Sequence, residues 1–183
     1  MKKIPTLFVR DVDRRHVTLE YAVELPPGSV ATIKYDGTCV MYDGTDWWFR
    51  RELKAGSAEP EGWVFMNYDE ATGKTIGWEP AQNSGFYKYL LEAIARDGES
   101  DPGTYELLGP KINANPTGAK SHWLYSHGSR ELSGWERDFT PCELQSWVAQ
   151  LGDEGVVWWC GAEPVAKLKR KDINPRGAEG REE

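Results

Sequence analysis

The chain has 183 residues, 39% hydrophobic and 12% aromatic, which supports a buried core and excludes a disordered chain. A formal net charge of −7 argues against a protein that coats nucleic acid, since affinity for phosphate backbones comes from lysine and arginine. It leaves room for an enzyme with one local basic site.

No apolar run reaches the length of a membrane span, and the start Met1-Lys2-Lys3 lacks the apolar stretch of a signal peptide. Cys39, Cys142 and Cys160 have no zinc or disulfide spacing. A cytoplasmic protein with no membrane partner is expected. Residues 1–171 read as one domain, and 172–183 as a polar, disordered tail.

In chain order, a short apolar run Leu7-Phe8-Val9 is followed by a charged stretch and then Val17–Val23, and Pro26-Pro27-Gly28 ends that region. Residues 30–53 read as strand, Asp36-Gly37 turn, strand, Asp43-Gly44 turn and strand, which predicts an antiparallel meander. Residues 55–84, in which Trp63, Phe65 and Trp78 are embedded, are expected to form a long ordered loop with one hairpin between Val64 and Gly77, held down by the two tryptophans. Residues 85–97 carry a helical stripe of Phe86 or Tyr87, Leu90, Leu91 and Ile94.

A strand at Thr104–Gly109, a loop rich in Gly, Asn and Pro, and a strand at His122–Tyr125 come next. The clearest helix spans 140–151, with Thr140 as N-cap, Pro141 at the first helical position and Glu143 completing a capping box. Its apolar stripe is Leu144, Trp147, Val148 and Leu151. The strands Gly155–Cys160 and Val165–Lys169 end the periodic part of the chain.

The chemistry centres on Lys34, which sits near Val30, Ile33 and Val40 and directly before Asp36-Gly37-Thr38. A lysine on a sheet usually lies on the solvated face, and the alternative is an amine held in a pocket for chemistry. Further candidates follow in order: Arg50 and Arg51, Glu106 in Tyr105-Glu106-Leu107-Leu108-Gly109, Glu154 before Gly155-Val156-Val157, and Lys167-Leu168-Lys169. Lys167 and Lys169 alternate on one strand and therefore point to one side. Each alone has an ordinary reading as a solvated strand or turn residue; their order is what carries meaning.

Lys34-Tyr35-Asp36-Gly37-Thr38 and the pieces after it resemble the covalent nucleotidyltransferases, the group of ATP-dependent DNA and RNA ligases and mRNA capping enzymes. Gly109-Pro110-Lys111-Ile112-Asn113-Ala114-Asn115-Pro116 and His122-Trp123-Leu124-Tyr125-Ser126-His127-Gly128 are similar to the small RNA ligase 1-like 5′-to-3′ RNA ligases. The likeness covers about Lys34 to Lys171, and departs from larger ligases in having Pro110, not Glu, after Gly109.

This resemblance implies an α+β adenylation domain of antiparallel sheets flanked by helices, without an oligonucleotide-binding-fold domain. It implies an ATP-dependent ligase that joins RNA 5′-phosphate and 3′-hydroxyl ends through a lysyl-AMP on Lys34. Arg50 or Arg51, Glu106, Glu154, Lys167 and Lys169 would hold the nucleotide, and Trp123 or Tyr125 would stack on its base. Glu106 and Glu154 would hold Mg2+ or Mn2+, hard cations that take oxygen ligands. His122 and the loop Lys111–Asn115 are expected to sense the ribose 2′-hydroxyl. DNA-joining or capping transferases, and a binding module of the same fold without turnover, are the alternatives.

Overall fold

A computed structural model describes residues 3–174, apart from positions 12, 14, 71 and 99. The expected disordered tail lies, from residue 175 on, outside the described residues. The strands are β1 Phe8–Arg10, β2 Val17–Tyr21, β3 Val30–Lys34, β4 Thr38–Tyr42, β5 Trp47–Leu53, β6 Val64–Asp69 and β7 Lys74–Pro80. Helix α1 Tyr87–Asp97 precedes β8 Gly103–Leu108 and β9 Trp123–Ser126, and helix α2 Pro141–Gln150 precedes β10 Gly155–Cys160 and β11 Glu163–Lys169. The protein is thus sheet-rich, its strand ladders are antiparallel, and it has two α-helices among the described residues. No helix among them is long and apolar enough to cross a membrane.

Where the sequence reads as one domain, the contacts divide into two compact units. The discontinuous unit combines Ile4–Tyr35 with the chain from Gly128 onward, and the central unit is built on Asp36–His127.

In the discontinuous unit, β1 pairs with β2, and a three-stranded sheet has the order β11-β10-β3. Alternation sends Ala31, Val156, Trp158, Ala166 and Leu168 to one face, each at most 1% exposed. They pack with Leu7, Phe8, and Leu144 and Val148 of α2. The capping box of α2 forms as its sequence requires: the Thr140 hydroxyl accepts the Glu143 N–H, and the Glu143 carboxylate accepts the Thr140 N–H. Asp172 and Ile173, read from sequence as the start of the tail, are instead buried, and Asp172 pairs with Arg10 at 2.6 Å. Ile173 has apolar core to cover, which is why order continues past residue 171.

The central unit is a six-stranded sheet of order β6-β7-β5-β4-β8-β9. The hairpin expected between Val64 and Gly77 is β6–β7, and β4–β5 turn at Asp43–Asp46 as predicted. The other half of the expected meander does not form, because β3 pairs with β10 and not with β4. Asp36-Gly37 is therefore an exit between sheets and not a hairpin turn. On α1, Leu90 and Ala93 face Val40, Phe49 and Leu107 in the core, whereas Leu91, expected in the stripe, is 46% exposed.

Candidate active site

Cross-strand register brings three residues into one row: Lys34 lies opposite Gly155, and Gly155 opposite Lys169. Directly opposed residues of antiparallel strands project from the same face, so both lysines rise on one side with no side chain between them. Thr32, Val157 and Lys167 make the next row on that side. Leu168, between the two lysines of β11, is fully buried on the opposite face.

Glu154, immediately before β10, joins the row. One carboxylate oxygen accepts from the Lys34 ammonium, and the other accepts from Lys169 at 2.6 Å. Lys34 also donates to its neighbour's carbonyl, that of Tyr35, at 3.4 Å. These side chains are only 19%, 12% and 25% exposed for Lys34, Glu154 and Lys169, so solvent screens the charges weakly. Burial pushes the Glu154 carboxyl up. The Lys34 charge, the hydrogen bonds from Lys169 and Lys34, and the Lys169 charge outweigh burial and hold it below its ordinary value.

Gly155 is what lets β11 come this close. Its φ is +155°, and a Cβ there would run into the Leu168 carbonyl and lie 2.8 Å from the Lys169 Cα.

In the central unit, the period of two separates the arginines. Trp48 opposes Met41, and Cys39 opposes Glu106, so Arg50 shares a sheet face with Glu106. Arg51 lies on the face that α1 covers and bonds Glu79 at 2.6 Å, a carboxylate only 4% exposed. Of the two arginines left open by the sequence, Arg50 is the one aligned with Glu106.

Both oxygens of Glu106 are engaged. Oε1 accepts the Gly37 N–H at 3.0 Å, and Oε2 meets His127 Nε2 at 2.8 Å. His127 Nδ1 in turn lies 3.0 Å from the Thr104 hydroxyl. A resident metal does not fit these carboxylates as they stand, since the oxygens of Glu154 and Glu106 already face ammonium, amide and imidazole. Among the described residues, no group of three or more His, Cys, Asp or Glu is arranged to hold one.

Trp123 packs on Tyr125 at 4.5 Å between ring centres, and the Arg96 guanidinium lies 5.4 Å above it. His122, expected to touch RNA, is 6% exposed, stacked on Tyr89 and bonded to Glu92 at 2.6 Å. It is a packing residue: Gly109 lacks a Cβ where the His122 ring sits. Sequence reasoning missed Glu79, His127 and Asn113 as partners of Arg51, Glu106 and Gly37. Only Asn113 left a signal, because asparagine is enriched at left-handed backbone positions.

Comparison with known protein families finds no match for this chain, and comparison with curated proteins finds none either.

Proposed function

We propose that the protein is an ATP-dependent RNA ligase of the covalent nucleotidyltransferase type, with Lys34 as nucleophile. The observation that carries the reading is the row Lys34–Gly155–Lys169 closed by Glu154. A surface lysine has no need of a partly buried carboxylate, a second cation in register and a glycine that clears the space between them.

The neutral Lys34 amine attacks the α-phosphorus of ATP, a P–N bond forms, and the bond to pyrophosphate breaks. A lysine is almost fully protonated at neutral pH, so the ammonium must first pass its proton to solvent water and leave Glu154. An arriving triphosphate competes with Glu154 for Lys169 and so loosens the pair. Lys169, with Lys167 on the same face, then offsets charge at the reacting phosphorus. Magnesium enters with ATP as part of the substrate. AMP next passes from Lys34 to an RNA 5′-phosphate, and a 3′-hydroxyl displaces it to seal the strand. Arg50 and Glu106 keep the nucleotide-holding roles that the resemblance gives them, without a resident metal on Glu106, and the fold reading is the adenylation domain of that group.

Incubation with α-labelled ATP and magnesium, followed by a denaturing gel, tests the first step. Wild-type protein takes up label and Lys34→Ala does not; equal labelling of both rejects the assignment. RNA ends should be sealed and all-DNA ends should not, because a 2′-hydroxyl both donates and accepts hydrogen bonds. Equal sealing of both would favour a DNA-joining enzyme.

A further inference from the structure

Asn113, Ala114 and Asn115 form a run of three non-glycine residues in the left-handed region, with φ of 44°, 59° and 56°. Asparagine visits this region readily and alanine does not, so the surrounding contacts must impose it. They do. Ile112 is fully buried, the Asn115 N–H donates to the Ile112 carbonyl at 2.7 Å, and the Asn115 side chain exchanges two hydrogen bonds with the Ala119 backbone.

The result is the placement of one amide. Asn113 Nδ2 donates to the Gly37 carbonyl at 2.6 Å and to Asp36 Oδ1 at 3.1 Å. The Gly37 N–H is already fixed by Glu106 at 3.0 Å, and His127 holds the other Glu106 oxygen. The Gly37 Cα is crowded too: a Cβ would lie 2.7 Å from Leu108 Cδ2 and 2.8 Å from Glu106 Cγ. Both hydrogen-bonding groups and the one free direction of Gly37 are thus committed.

We infer that Asn113 is a positioning residue, held in left-handed backbone so that its side-chain amide fixes the Asp36–Gly37 bend that follows Lys34 in the chain. Its bearing on reaction rests on the reading of Lys34 as nucleophile; the clamp itself does not. A loop that merely needed left-handed backbone would accept aspartate or glycine at this position. A loop that needs the donor would not.

The test compares wild type with Asn113→Asp and Asn113→Gly, which both keep the backbone conformation and lack the amide donor. Hydrogen exchange at the Gly37 amide, read by NMR, should speed up tenfold or more in both variants while the melting temperature changes little. Unchanged Gly37 exchange overturns the clamp. The rate of self-labelling at saturating ATP should fall tenfold or more in both, with half-saturating ATP shifted less than twofold. Faster exchange with wild-type labelling overturns the role in reaction. If wild-type protein takes no label, the nucleophile reading fails, and Gly37 exchange alone decides the clamp.

Discussion

Lys34 and Lys169 stand on either side of Gly155 in one cross-strand row and meet on the two oxygens of Glu154. One carboxylate therefore balances two ammonium groups, and its removal leaves two like charges in a poorly solvated place.

Glu154→Gln should lower the melting temperature at neutral pH, because Lys34 and Lys169 then face each other without the carboxylate that balances them. Acid should act the same way on the wild type. The folded-state value for Glu154 lies below its ordinary 4.5, so its stabilising contribution is complete above that value and is lost as pH falls through and below it. Melting curves from about pH 7 to about pH 3 should therefore fall more steeply for wild type than for Glu154→Gln. Parallel curves would remove Glu154 from the balance of charge.

Lys169→Ala and Lys167→Ala probe the shared face. Each should slow lysine labelling on the order of a hundredfold, as expected for charge placed at a transition state. Near-normal rates in both would make them residues of a solvated strand.

The two arginines should separate by phenotype. Arg50→Ala should cut labelling while leaving the melting temperature nearly unchanged. Arg51→Ala strands the buried Glu79 carboxylate and should destabilise by about 1–3 kcal/mol in denaturant titration. The opposite pattern would mean that the faces assigned here to the two residues have exchanged roles.

Ala114 gives a test of backbone strain. Left-handed backbone costs alanine about 1–2 kcal/mol, and glycine gives back about 0.5–1 kcal/mol in lost chain entropy. Ala114→Gly should thus stabilise by roughly 0.5–1 kcal/mol, a rise in melting temperature of about 1–4 °C. A fall would show that the Ala114 methyl packs well enough to offset its strain.

Much of the local structure was legible in the sequence for identifiable reasons. The Thr140–Glu143 capping box, the β4–β5 turn and the alternation Lys167-Leu168-Lys169 rest on spacing within a few residues, and all three take the expected form. Pairing between distant strands carries no such mark. Nothing near Lys34 announces that β3 joins β10, so Asp36-Gly37 read as a hairpin when its glycine answers crowding by Glu106 and Leu108. Leu91 had the right spacing on α1 and still faces out, because a stripe fixes a face only to within a residue. The convergence of Lys34, Glu154 and Lys169 followed from motif order, whereas the partners Glu79 and His127 depend on register alone.

The most direct measurement is mass spectrometry of the protein after incubation with ATP and magnesium. A mass increase of one AMP should appear, map to the peptide containing Lys34, vanish on acid treatment as a phosphoramidate does, and be absent from Lys34→Ala. An AMP adduct on a different residue, or none in folded wild-type protein, would contradict Lys34 as the nucleophile.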